Sequence, residues 1–582
     1  MADQRRPRRR RAARPRRKAQ TCGLFLRLPL SLSLGLSFGA SLLSLPLLAG
    51  AARAQDLVSP GGIDQLAVPG PDAPFGTGRL LQGTGPGPWI DSFDLFDLPA
   101  GGRAPAGAPR SGWTLTPSLA VQLGATDNVR NSRTDRQADV YARINPTIAV
   151  SADTEEVTGR LVYRPVARFN VNTSDQNRVD QIFSGQALVT LVPDLLYFDA
   201  RGSGDVRSLV SDIGLTDEFG SRQDRVQGLR YQLSPYLVHR FGEFATTRIG
   251  YVYRGSSESG RNVSRPGETL PFFNGQGFTA NEGYGILRSG ENWGRAAWEL
   301  RTVNTVFDGN GVYSGAYRYI HTLQVRYGLT REIAVLGEGG WQDQRFNGRT
   351  PFEVHDAVWS AGVRLSPDPD SVLIIRYGRR DGYNAVNGNG SINIGVRTRI
   401  FGAYSDRIGT AALQASDLLS STVLDEFGNQ VDSSSGIPAP LAYRTPFSTS
   451  QSNVFRIKRA IAGIGQTWRR DSVSLFYVNE RRDPVAIAEG TTAFSTRTNS
   501  AGLSWTHSLT PSTTLSGLGR IGFTEQQAGR DGVNYTLQAV LSQRFTPTLF
   551  GSVLLRHTSR ETTGTSGATT QNTILFSLRQ FF

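Results

Sequence analysis

Trp113 to Ala125 reads W-T-L-T-P-S-L-A-V-Q-L-G-A. Trp113, Leu115, Pro117, Leu119, Val121, Leu123 and Ala125 take every odd position, with Thr, Ser and Gln among the residues between. Successive side chains of a strand point to opposite faces, so this stretch forms a strand with one apolar and one largely polar face. It is also as long as the roughly nine to eleven residues that a tilted strand needs to cross a bilayer. The pattern recurs at once, with Val140, Ala142, Ile144, Pro146, Ile148 and Val150, then with Leu161, Tyr163, Pro165, Ala167, Phe169 and Val171. The chain also ends on it: Asn572 to Phe582, N-T-I-L-F-S-L-R-Q-F-F, is apolar at Ile574, Phe576, Leu578 and Phe582. Alone, that last stretch suits the edge of a soluble sheet as well as the strand that closes a barrel in lipid. Its repetition along the chain decides for the barrel.

The connections alternate. Short ones, such as Ala152 to Glu156, Phe241 to Phe244, Leu329 to Glu332 and Thr546 to Thr548, interleave with long polar ones at Asp127 to Gln137, Gly204 to Arg225, Gly255 to Gly277, Gln342 to Val354 and Glu480 to Ser495. Short turns on one side and long loops on the other predict an all-β, transmembrane, antiparallel up-and-down β-barrel, with the turns in the periplasm and about twenty-two strands in a range of about eighteen to twenty-two. Parity sharpens this expectation. A charge facing lipid at mid-depth costs about 2–4 kcal/mol, so strand charges should avoid the apolar parity. Arg143, Arg160, Arg164, Arg168, Arg230, Arg248, Arg301, Arg318, Arg326, Arg364, Arg376 and Arg520 do so, as do Arg295, Arg556 and Arg579. The first twelve are the candidate lumen-lining residues; Asp199, Glu299 and Glu338 share their parity and would neutralise part of their charge. Tyr197, Phe198, Phe241, Phe244, Tyr327, Phe545 and Phe550, near the short turns, are expected to form an interfacial aromatic girdle, and Phe576, Leu578 and Phe582 a C-terminal barrel-assembly signal.

The net charge of +14 is a misleading guide to partners, because residues 1–54 hold twelve Lys and Arg against the single acid Asp3. The rest is nearly balanced, which removes nucleic acid from the expected partners. Residues 1–54 have the layout of a cleaved secretory signal: the basic run Arg5 to Lys18, the Leu-rich run Leu24 to Leu48, and small residues at Ala52 and Ala54 before the expected cleavage. An uncleaved anchor is the rival, although Arg27, Pro29 and Pro46 interrupt the apolar run. Cys22, the one cysteine, precedes that run, so the expected mature chain has neither a disulfide nor a thiolate metal site. Residues 55–111, with S-P-G-G, V-P-G-P and T-G-P-G-P, cannot bury enough apolar surface to fold alone and form a disordered, flexible periplasmic extension. The Trp89 to Phe96 island within it could dock on a periplasmic partner or tuck into the barrel mouth. Beyond the leader no run of about 18 apolar residues could make a spanning helix, so the barrel takes residues 112–582.

Trp113-Thr114-Leu115-Thr116-Pro117 followed by Thr126-Asp127-Asn128-Val129, then Ser234-Pro235-Tyr236 to Arg240-Phe241-Gly242, and Leu329-Thr330-Arg331-Glu332 resemble motifs of the beta-barrel porin 2 family of bacterial outer-membrane proteins. The resemblance covers residues 113–582 and implies the outer membrane of a Gram-negative cell. It also implies company with exopolysaccharide and exosortase loci, and it supplies no catalytic residue.

The expected function is therefore a porin: an aqueous channel with a basic lumen for passive diffusion of small polar or anionic solutes. The alternatives are a conduit or scaffold for exopolysaccharide export and a lipid-modifying barrel enzyme. Expected partners are outer-membrane lipid, the barrel-assembly machinery and, left open, a periplasmic or polysaccharide-export protein; no cofactor is expected. Enzymatic signals are weak: His239, His321, His355, His507 and His557 stand singly, and Gly517-Leu518-Gly519-Arg520-Ile521-Gly522 lies in an alternating strand with no helix behind it to hold a pyrophosphate. A long excursion at 406–452 interrupts the strand pattern. Ala412, Ala415, Leu419 and Val423 have near-helical spacing, and the excursion either folds inward to constrict the pore or lies as a surface loop.

Overall fold

The computed structural model describes residues 112–582 apart from 209–220, 223–224, 261–276, 369–370, 396, 411–412, 414–421, 425–429, 433–452, 492, 528–530 and 564–567. The expected leader, 1–54, and extension, 55–111, lie outside the described residues. Twenty-two antiparallel strands form one sheet in which each strand pairs with the next in sequence. The sheet closes because the first strand, Gly112–Thr126, pairs both with Asp139–Asp153 and with the last strand, Thr569–Phe581, setting Leu123 opposite Phe576 and Val121 opposite Leu578. Closure pairs Ser118–Thr126 of the first strand with Thr573–Phe581 of the last and so removes the two open edges across the membrane-spanning part, the condition for spanning lipid with strands.

Strands extend further on the long-loop side than the sequence suggests. Gly204 lies inside Leu196–Ser208, Gln342 inside Ile333–Phe346, and Glu480 inside Asp471–Ala486. The excursion also starts later than position 406, since Thr398–Gly409 is a strand in which Asp406 stands opposite Lys458. Polar residues end a lipid-facing belt, but not a ladder of backbone hydrogen bonds, which continues where water wets both faces. Leu413 is helical, whereas Val423 belongs to a short strand, Thr422–Leu424, paired with Gln430–Asp432; Ala412, Ala415 and Leu419 lie outside the described residues. This small hairpin, inserted after the fifteenth barrel strand, comes within 8 Å, Cα to Cα, of the fourth, Arg178–Val192. Those two strands stand on opposite sides of a barrel of twenty-two.

The two faces differ sharply. Leu119, Val121, Leu123, Ile144, Leu161, Ile249, Leu503, Leu537, Leu555 and Phe576 are exposed, and their parity carries no charge through the middle of any strand. Charges on that face wait for the strand ends, as in the Arg345–Glu353 pair at 3.0 Å and the Arg481–Asp483 pair at 2.9 Å. At the short-turn end Phe241, Phe244, Tyr327 and Phe545 are exposed as expected, and Phe244 packs with Trp293 and Trp298 at ring distances of 5.6 and 6.4 Å. Two girdle assignments are overturned. Tyr197 is buried on the opposite face, stacked on Tyr236 at 5.4 Å, and Phe550 meets Phe581 edge-on on the face opposite the belt. Nearness to a turn does not fix facing; parity does.

Register is pinned by aromatic rings laid over glycine. Tyr141 covers Gly124 on the next strand and Tyr284 covers Gly250, so that a Cβ at either glycine would enter the ring.

At the long-loop rim the shortest hairpin, around Asp381, is bridged by its neighbours. Phe278, Phe307, Tyr313 and Phe346 pack together with Ile408, Leu413 and Val454; Phe278 stacks on Tyr313 at 4.7 Å and Phe307 meets Phe346 at 5.8 Å. Each such aromatic pair adds about 0.5–1.5 kcal/mol beyond its burial. The arch is tied by an antiparallel bridge between Thr350 and Ile487, with Arg349 N donating to Ile487 O at 2.7 Å and Ile487 N to Thr350 O at 3.2 Å. Directly opposed antiparallel residues suit a disulfide. Thr350→Cys with Ile487→Cys should therefore form a near-complete disulfide on oxidation, read as a mobility shift reversed by reductant. Two free thiols after oxidation would show that these loops do not meet.

Candidate functional site

The chemistry of this protein lies on the face opposite the apolar belt. All twelve arginines singled out from the sequence are on it: Arg143, Arg164, Arg168, Arg230, Arg301, Arg318, Arg376 and Arg520 are buried, and Arg160, Arg248, Arg326 and Arg364 half-buried. Arg556 and Arg579 join them. Arg295 does not; it is exposed in the turn before the strand Ala296–Gly309. Alternation forces this placement, because the residues one position away from each arginine take the belt face, as Ile249 beside Arg248 and Leu300 beside Arg301 do.

What parity does not reveal is how the charges meet. Asp199, Glu299 and Glu338 are on the buried face, and the structure adds acids that the sequence reading missed: Asp180, Asp205, Glu258, Glu282 and Glu480. Each is within ion-pair reach of arginine. Arg201 Nε lies 2.9 Å from Asp199, Arg230 Nη1 3.0 Å from Asp205, and Arg254 Nη2 2.9 Å from Glu282, which also accepts from Thr305 Oγ1 at 2.8 Å. Glu299 takes Arg288 at 2.7 Å and Arg301 at 3.1 Å, while Glu338 takes Arg380 at 2.5 Å, with Arg376 at 3.9 Å. Glu480 lies 3.6 Å from Arg459 and 2.5 Å from Arg482. Much of the wall is thus an ion-pair lattice and not the bare basic surface expected from arginines alone. The parity rule applied to acids would have found these carboxylates; only register could pair them.

Aromatic rings hold other guanidinium groups flat against the wall: Arg168 lies 3.8 Å over Tyr141, Arg248 4.9 Å over Tyr236 and Arg520 5.2 Å over Phe476. Among the described residues no group of three or more His, Cys, Asp and Glu could hold a metal ion.

Phe576 and Leu578 are half-exposed on the belt at the closing seam, and Phe582 follows the last strand, its N–H donating to Pro117 O at 3.1 Å.

An antiparallel barrel of twenty-two strands, closed on itself and ringed by an uncharged apolar belt with aromatic residues at its rim, is an outer-membrane architecture. No protein-family model matches the chain and no curated protein does. Among solved structures the chain is similar to the FrpB iron transporter from Neisseria meningitidis, with 8% identity over 81% of this chain and 82% of that one at a TM-score of 0.45. It is similar to the ferric-catecholate import receptor Fiu from E. coli, with 9% identity over 81% and 82% at 0.47, and to Pseudomonas aeruginosa OccK2 in complex with glucuronate, with 10% identity over 80% and 98% at 0.32.

Proposed function

We propose that the protein is an outer-membrane porin, a passive channel for small polar or anionic solutes whose buried face lines a water-filled lumen. One observation carries the reading: ionised side chains occupy that face at every depth of the barrel. Removing a charge from water costs several kcal/mol even after relaxation, and pairing rarely returns more than it costs. A wall that carries guanidinium and carboxylate groups at every depth, with Arg160, Arg248, Arg326 and Arg364 only half-buried, fits a water-filled interior better than a packed apolar one. The short motifs that resemble the beta-barrel porin 2 family support the same reading. Phe576, Leu578 and Phe582, at the seam that closes last in sequence, are the proposed recognition signal for the barrel-assembly machinery.

Purified from membranes and reconstituted in planar lipid bilayers, the protein should give steady, voltage-tolerant ion conductance without any cosubstrate. A correctly folded barrel that is silent would overturn the porin reading.

A further inference from the structure

The buried face is not electrically uniform around its circumference. Consider the eight consecutive strands that straddle the closing seam: Thr496–Thr510, Thr513–Gln526, Gly532–Arg544, Leu549–Thr562, Thr569–Phe581, Gly112–Thr126, Asp139–Asp153 and Val157–Asn170. Among their described residues the buried parity carries arginines but no carboxylate between the rims. Asp153 is exposed at the last position of its strand, at the short-turn rim. Asp139, at the opposite rim, is engaged by the Asn172 and Thr173 backbone N–H groups at 3.0 and 2.9 Å. The carboxylates Asp180, Asp199, Asp205, Glu258, Glu282, Glu299, Glu338 and Glu480 all stand on strands outside this sector.

Within the sector the arginines descend through the barrel. Arg560 and Arg168 are near the long-loop end, Arg520 and Arg164 at mid-strand, and Arg579 and Arg160 near the short turns. Arg160 to Arg168 alone spans eight residue-to-residue steps of one strand, roughly 27 Å at about 3.3–3.4 Å per residue. At the upper end three arginines are in register: Arg143 is directly opposite Arg168, and Arg168 directly opposite Arg178 on the next strand. Like charges directly opposite one another destabilise a sheet; Asp180, on the strand next to the sector, offsets part of this from 3.3 Å off Arg178 Nε and 3.0 Å off Arg225 Nη2, and the rest of the row is held by buried contacts. Arg143 and Arg168 are each 2% exposed, Arg168 stacks on Tyr141, its Nε donates to Asn170 Oδ1 at 3.2 Å, and its buried Nη2 has no hydrogen-bond partner.

We propose that this sector is an anion track, and that Arg143 and Arg168 form its binding station for small carboxylate or phosphate anions. The proposal rests on the porin reading and adds a path to it. Anions follow the acid-free sector, where each guanidinium hands over to the next, while the ion-paired wall opposite acts as neutral lining. The stacked guanidinium of Arg168 presents a planar donor edge to a bidentate oxyanion, and a weak, repeated site lets an ion both enter and leave.

The test measures reversal potential in a KCl gradient and block of chloride current by inorganic phosphate, both in planar bilayers. Wild-type protein should be anion-selective and blocked by phosphate. Arg143→Gln with Arg168→Gln should lose most of the anion bias and raise the half-blocking phosphate concentration at least tenfold. Arg254→Met with Glu282→Met, which removes a guanidinium together with its carboxylate from the ion-paired wall, should change either reading less than twofold. If the first pair fails to fold, judged by heat-modifiable gel mobility, Arg520→Gln with Arg556→Gln tests the same track and should likewise reduce the bias. A wild-type protein that does not conduct overturns the porin reading itself. A conducting protein with no anion preference, or one in which the two walls respond equally, overturns the track alone.

Discussion

Leu555→Arg should prevent most of the protein from reaching the folded, heat-modifiable form, whereas Ser552→Arg, three residues away in the same strand, should leave folding nearly unchanged. Leu555 is 53% exposed, at the middle of the strand Leu549–Thr562, between Ala539 and Ile574 on its neighbours. An arginine there faces hydrocarbon at mid-depth and costs about 2–4 kcal/mol, a large share of the roughly 5–15 kcal/mol by which folded proteins are stable. Ser552 has the opposite parity, facing Ser542 and Ser577 across the ladder, where small neighbours leave room for a guanidinium. The measurement is the folded fraction by gel mobility together with the urea midpoint in detergent or lipid. Equal losses for the two variants would show that the exposed parity does not meet lipid, and the membrane assignment would fall with it.

Glu282→Ala should be the most damaging single change on the other face, costing about 3–5 kcal/mol, the range found when one partner of a buried ion pair is removed. Glu282 and Arg254 have side chains 1% and 0% exposed, and the carboxylate also accepts from Thr305, so three strands meet at this group. Its loss strands a buried guanidinium. Replacing both partners, Arg254→Met with Glu282→Met, removes that strain along with the attraction and should recover most of the stability. Urea unfolding of the three proteins provides the check. A single variant within about 1 kcal/mol of wild type would mean that water already screens the pair, as at an exposed site.

The two predictions draw on different kinds of information. The consequence at Leu555 could be read from the sequence, because alternation is local: one residue to either side states which face it takes. The same logic placed all twelve candidate arginines on one face and put Gly517 to Gly522 in a strand. It failed where a residue was assigned by its neighbourhood in place of its parity, as with Tyr197 and Phe550, or where polarity was taken for the end of a strand, as at Gly204 and Asp406. Strand ends are set by backbone pairing with the next strand, which no single stretch contains.

The sequence by itself determined the barrel, a strand number within about eighteen to twenty-two, and its uncharged belt, because the penalty for a charge in hydrocarbon acts on each position separately and so writes itself into every strand. Only the tertiary structure decided which charges neutralise one another, which arginines stand shoulder to shoulder, and that the loops near Thr350 and Ile487 join above the short hairpin at Asp381. Those outcomes depend on register and closure, which bring together residues as distant as Gln122 and Ser577. Coulomb energy falls with separation in space, and separation in space is what folding supplies.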